Sequence, residues 1–294
     1  MIYMRNFLGL LLFAVVLLSS CEQENVYSDQ GKPIRFSATT SSVNTKTGYQ
    51  GYTVNGKEAI IWEDGDAIRV FSNEAIVSGS SRKWADYRVS VTDGVATAVN
   101  PLTVGTELLW YEGTHHFYAV YPAGEVTGNV VEASISKVQE LTKISSNVFA
   151  PVLSKNGFMA AAADGKPDDT SVNLNFKPMF TTLEFTVSPG YDSDVVVNEF
   201  RLAVKDGSKV VLAGDFKATL SSQADPSIEI QYPNTSGEIK VSLGTGGITV
   251  KKGESLTFSV LALPIDLTDL VAYFTLDGVE RKFPWWTRTA STLK

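Results

Sequence analysis

The stretch Ile60-Ile61-Trp62-Glu63-Asp64-Gly65-Asp66-Ala67-Ile68-Arg69-Val70-Phe71 decides the fold class. It reads as two strand pieces around an acidic turn. Ala59, Ile61, Ile68 and Val70 hold the apolar positions. Glu63-Asp64-Gly65-Asp66 supplies turn chemistry, with the glycine free to take positive φ. Asp66, directly after the glycine, is placed to accept hydrogen bonds from nearby backbone amides and fix the turn. Apolar–polar alternation resumes at once in Ala67–Phe71, the pattern of a strand with one face on a core.

The same two-residue period recurs on both sides of this stretch. Upstream, Pro33-Ile34-Arg35-Phe36-Ser37-Ala38-Thr39 puts Ile34, Phe36 and Ala38 on one face and polar residues on the other. A Ser/Thr/Asn/Gly loop carrying Lys46 follows it. Downstream, Tyr87–Val91 leads through Asp93-Gly94 into Val95–Val99, a hairpin signal. Leu108–Tyr111 and His116–Tyr121 are strongly β-prone, and Pro122 closes the second. Val138–Leu141 fits either a strand edge or one helical turn. After the polar, Gly/Pro-bearing run Asp164–Thr170, alternation restarts at Val172–Phe176 and Leu183–Val187 and continues through Glu199–Val204, Ile228–Tyr232, Lys240–Leu243 and Leu256–Leu263. Many short strands, turn residues between them and few helical windows predict an all-β protein of two domains, residues 33–165 and 171–294.

At 294 residues with 44% apolar composition the chain can build such cores. Its formal charge of −7 becomes −8 without residues 1–20, whose sole charge is Arg5, and an acidic chain has no electrostatic footprint for nucleic acid. Residues 1–20 read as a signal peptide: Arg5, then an apolar run from Phe7 to Leu18 too short to span a bilayer permanently. The run ends in Leu17-Leu18-Ser19-Ser20-Cys21, a lipobox in which the chain's one cysteine becomes N-terminal and acylated. Acyl chains at about 0.8 kcal/mol per buried CH2 would hold Cys21 in a membrane leaflet. Residues 21–32, with Glu22 and Glu24, form a polar tether.

Little in the sequence points to catalysis. His115 and His116 are the two histidines, and neighbours in a strand face opposite ways, so they cannot chelate one metal together. There is no GxSxG elbow. Asp64-Gly65-Asp66 lacks the ligand series of a calcium loop. No catalytic residue, metal or cofactor is expected. Five tryptophans (62, 84, 110, 285 and 286) leave room for stacking on sugar rings.

The opening stretch, with Trp62, Gly65 and Asp66, resembles the xWxxGDxIxVF signature of the fimbrillin-like (Mfa-like) surface lipoproteins of Bacteroidales, relatives of type V pilins. Phe117-Tyr118-Ala119-Val120-Tyr121-Pro122 is similar to the family's FYAYYP strand, contributing Tyr118, Tyr121 and Pro122. Phe176–Phe185 is similar to the opening of its second domain, with Pro178 where the family usually has His. The resemblance implies two tandem Greek-key, transthyretin-like β-sandwiches after a lipoprotein signal peptide. It also implies a lipid-anchored fimbrial subunit of the outer membrane that loses its first strand (Ile34, Phe36, Ala38) to a trypsin-like protease, here at Lys46. Other pilin subunits then supply the missing strand. The alternative is a non-polymerising surface lipoprotein that binds glycans or a host ligand. Thr287–Lys294 carries no alternating apolar row to donate, which fits a tip-type subunit and, equally, a truncated chain that stays a monomeric lipoprotein.

Overall fold

The computed structural model of the chain describes residues 31–40, 49–54, 57–60, 62–92, 95–190, 193–244, 246–264 and 269–284. Cys21, Lys46, Trp285 and Trp286 lie outside them. The first strands are β1 (Phe36–Thr40), β2 (Tyr49–Val54), β3 (Lys57–Ile60), β4 (Ala67–Phe71) and β5 (Ile76–Val77). Next come β6 (Trp84–Thr92), β7 (Val95–Pro101), β8 (Leu108–Leu109), β9 (His115–Tyr121), β10 (Val126–Thr127) and β11 (Val130–Ile135). β12 (Val138–Gln139), β13 (Leu141–Ser145) and β14 (Val148–Pro151) precede one helical turn, α1 (Leu153–Asn156). β15 (Met159–Gly165), β16 (Val172–Pro178), β17 (Thr181–Val187), β18 (Val195–Val204), β19 (Ala213–Ser221) and β20 (Ala224–Ser236) follow. β21 (Glu238–Ser242), β22 (Ile248–Val250), β23 (Leu256–Ala262), β24 (Leu270–Leu276) and β25 (Val279–Pro284) end the described chain. The all-β class expected from the alternation is the one the chain adopts.

Seven strands close a barrel in the order β1-β16-β15-β9-β4-β6-β7. Each strand turns its apolar set inward: in β6, Ala85, Tyr87 and Val89 are buried while Arg88 is exposed. Trp62, Tyr87, Phe117, Tyr121 and Phe176 fill the interior, all at 2% exposure or less. Two small two-stranded sheets, β2-β3 and β5-β8, accompany three larger ones: β10-β11-β19-β20, β13-β14-β23-β17, and β12-β21-β18-β24-β25 with β22 also on β18. Phe185, Phe200, Phe258 and Phe274 form an aromatic cluster between the last two, with ring centroids 4.4 to 6.2 Å apart.

The two halves of the sequence interleave. Val172–Pro178, expected to open a second unit, runs parallel to β1 and closes the barrel, so pairing crosses residues 166–171. Conversely, β11 pairs with β19, β12 with β21 and β14 with β23, which places residues 126–151 among the later strands. Three of these long-range pairings, β1–β16, β12–β21 and β14–β23, are parallel. Alternation identifies which face of a strand is buried but not the strand beside it, hence the difference.

A buried glutamine ties one half to the other. Val138–Leu141 forms strands rather than a helical turn. Gln139 Nε2 donates to the Leu261 carbonyl at 2.6 Å, and its Oε1 accepts from the Leu261 amide at 2.9 Å. The side-chain amide thus stands in for a strand backbone on β23, and both of its polar ends are satisfied inside the core.

Candidate functional site

The chain's first described segment is held on both flanks. Gly31 N–H donates to the Trp110 carbonyl (2.9 Å), Ile34 N–H to that of Leu108 (2.8 Å), and Trp110 N–H to that of Lys32 (3.0 Å). From Phe36 to Thr40, β1 pairs residue for residue with Val172 to Phe176 of β16. Against β7 it has one register pair, Phe36 with Val99. The barrel therefore closes through a strand fastened along one edge and barely along the other.

Packing secures the inner face of this strand. Ile34, Phe36 and Ala38 are 3, 5 and 6% exposed, and Phe36 meets Tyr87 and Phe117 edge-to-face at 5.1 and 5.2 Å. Such pairs add about 0.5–1.5 kcal/mol each beyond area burial. On the outer face, Ser37 Oγ and Thr39 Oγ1 donate to Asn173 Oδ1 at 3.2 and 3.4 Å. Residues 41–48, with Lys46, lie outside the described residues and connect β1 to the β2–β3 hairpin.

The signature residues Trp62, Gly65, Asp66 and Tyr121 cluster around the acidic turn. Gly65 takes φ of 95°, a backbone conformation open chiefly to glycine. Its N–H donates to the Val89 carbonyl at 3.0 Å, and Val89 N–H returns a bond to the Asp66 carbonyl at 2.8 Å. Asp64 Oδ1 accepts from Val91 N–H at 3.0 Å, so the acidic turn is stitched to β6. Asp66 Oδ2 accepts from Glu63 N–H at 2.6 Å. Burial pushes the Asp66 carboxyl up to about 6, against the opposing pull of that amide and of the Tyr121 hydroxyl. Trp62 is wholly buried, edge-on to Tyr121 at 5.5 Å and Phe176 at 5.1 Å. Tyr118 falls in β9 between Phe71 of β4 and Ala162 of β15, and Pro122 follows a cis bond at the strand's end. Trp62, Asp66 and Tyr121 thus meet in a structural knot.

The histidines part as neighbours in a strand must. His115 is buried beside Trp110; its Nε2 accepts from Tyr111 N–H at 3.2 Å, and burial lowers its pKa. His116 faces out, with Nδ1 2.8 Å from Asp164 Oδ1, and this carboxylate raises its pKa. Ser222 Oγ donates to the other Asp164 oxygen at 3.2 Å. Hydroxyl and imidazole therefore share one carboxylate, whereas a triad needs the serine on the imidazole. Among the described residues no group of three or more His, Cys, Asp or Glu is placed to hold a metal ion.

Sugar stacking finds little footing among the described tryptophans. Trp62 and Trp110 are buried, and the guanidiniums of Arg69 and Arg82 lie over the Trp84 ring at 3.7 and 4.4 Å. Arg69 is itself held by Asp86 through Nε (2.7 Å) and Nη2 (3.0 Å). The exposed aromatic side chains among the described residues are Tyr232 and Phe283.

No protein of curated function matches the sequence. Among solved structures, a candidate cell adhesion protein from Bacteroides uniformis aligns over 86% of this chain and 84% of its own, at 18% identity and a TM-score of 0.52. A candidate cell adhesion protein from Bacteroides ovatus covers 86% of each chain at 17% identity and a TM-score of 0.49. A fimbrial protein from Bacteroides ovatus covers 86% of this chain and 46% of its own at 10% identity and a TM-score of 0.40. The first likeness shows a shared fold. The fimbrillin-like family model matches residues 39–294, which include the acidic turn, the β9 strand and the β23–β24 region. The chain belongs to the fimbrillin-like family.

Proposed function

We propose that this chain is a cell-surface fimbrial subunit that assembles by strand exchange at β1. The observation that carries the reading is the placement of β1. One strand supplies Ile34, Phe36 and Ala38 to the barrel core, closes the barrel between a residue-for-residue ladder on β16 and a single pair on β7, and is joined to the body through residues 41–48. Removing such a strand opens an apolar groove and unpaired edges on β16 and β7, both of which call for a replacement strand. Other fimbrillin-like subunits are the partners that would supply it.

In this reading Cys21 carries the lipid anchor, residues 21–32 are the tether at the outer membrane, and Lys46 is the cleavage point. The barrel domain comprises residues 33–40, 62–121 and 159–178, and the second domain residues 126–151 and 181–284, with the β2–β3 hairpin against β13 and β14. In a head-to-tail assembly an internal subunit needs both a donor and an acceptor surface, whereas an end unit needs only one. Treating the purified protein with a trypsin-like protease should give one main product beginning at Thr47. Cutting first within the barrel would overturn the proposal. A regular ladder of SDS-resistant oligomers from matured protein alone would place the chain inside the fibre, and its absence would place the chain at an end, with strand exchange at β1 kept in either case.

A further inference from the structure

A second surface lies between two of the later sheets, on strands that do not pair with β1. β17 ends one sheet and β25 ends the other. Between them runs a groove of about 740 Å³, lined by Phe185, Val187, Val197, Val250, Phe274 and Leu276 among others. The ionisable residues in its lining are Arg281 and Lys282, both cations.

Arg281 is oddly placed for a sandwich. In the β24–β25 ladder, Ala272 pairs with Phe283, Phe274 with Arg281 and Leu276 with Val279. Directly opposed residues share a face, and Ala272 and Phe274 are buried. Phe283 confirms the side, with its ring edge-on to Phe274 at 5.5 Å. Arg281 therefore stands on the core-facing side of an edge strand. Glu280 falls on the other side, bound to Arg201 at 2.8 Å. Arg281 has no hydrogen bond or ion pair among the described residues.

These features discriminate between occupants. A proline in an edge strand and a charge on its apolar face, here Pro284 and the exposed Arg281, keep an added strand off a sheet edge. An apolar trough with a cation at its rim suits a ligand with a long apolar body and one anionic head. The guanidinium gains a charge-assisted hydrogen bond that it now lacks, and the aromatic floor takes the hydrocarbon. We propose that the groove between β17 and β24–β25 binds a single-chain amphiphile with a carboxylate head, a long-chain fatty acid in chemical class, with Arg281 as the head-group partner.

The test titrates the chain, expressed from residue 21 with Cys21→Ala so that no acyl group is attached, with 11-(dansylamino)undecanoate. Saturable binding of one probe per chain, displaced by oleate and not by oleylamine, is expected. Arg281→Glu should weaken binding about tenfold or more with the thermal midpoint unchanged, while Lys209→Glu, an exposed charge outside the groove, should leave affinity intact. Equal affinity of Arg281→Glu and the parent would overturn the proposal, as would equal displacement by oleylamine. Binding that appears only once residues 285–294 are deleted would assign the groove to the chain itself and also overturn it.

Discussion

Phe36→Ala tests the role of β1 most directly. The ring is 5% exposed and sits edge-on to both Tyr87 and Phe117. Truncating a buried phenylalanine removes its transfer free energy and leaves a cavity, together about 3–5 kcal/mol. The lost edge-to-face contacts fall within that figure, and the closed barrel around the site limits collapse, which favours the upper half. Ser37→Ala serves as the control, because it loses one outer-face hydrogen bond to Asn173, worth about 1 kcal/mol or less. With a urea dependence of about 3 kcal/mol per M, Phe36→Ala should lower the barrel's unfolding midpoint by about 1 M or more, and Ser37→Ala by a few tenths. Urea titration followed by tryptophan fluorescence, in a Trp285→Phe, Trp286→Phe background, reads the barrel, since Trp62, Trp84 and Trp110 all lie in or beside it. The variant should also be cut faster between β1 and β2 by trypsin, because a loosened strand exposes its connection. If both variants shift the midpoint equally, β1 does not hold the barrel through its apolar face and the reasoning fails.

Gln139→Leu should cost about 2–4 kcal/mol, because it leaves the Leu261 amide and carbonyl without their partner in the core; a calorimetric midpoint within 1 °C of the parent would contradict this. Asp66 has a folded-state value near 6 against an ordinary 3.8, so its neutral form favours the fold. That stability is fully present below pH about 3.8 and is lost as pH rises through about 6. Relative to the parent, Asp66→Asn should therefore gain thermal midpoint across that window and level off above it, and parallel melting curves at every pH would count against the burial of the carboxyl. In a proton NMR titration, His116 should titrate above the ordinary 6.5 and His115 below it, and Asp164→Asn should bring His116 back down; an unmoved His116 would remove Asp164 as the cause.

Much of the architecture was legible without coordinates because a strand's period of two depends only on local geometry. The alternation in Pro33–Thr39 marks Ile34, Phe36 and Ala38 as one face, and the acidic turn at Glu63–Asp66 follows from glycine's freedom and a short carboxylate. Adjacent histidines must diverge for the same reason, and His115 and His116 do. Partner choice is different, since it depends on which distant strand offers a complementary face once the chain has folded. Nothing within Val172–Phe176 announces a parallel partner more than a hundred residues upstream, nor within Val130–Ile135 a partner in β19. The same limit applies to single side chains. Gln139 reads as one polar residue in an ambiguous window, and only the approach of β23 turns it into a buried surrogate backbone. Arg281 alternates with Glu280 and Lys282 as an ordinary charge, and only pairing with β24 places it on the apolar side. The sequence by itself settled which residues seek burial, because burial is decided residue by residue. The tertiary structure alone decided where they meet, because pairing is a property of two segments at once.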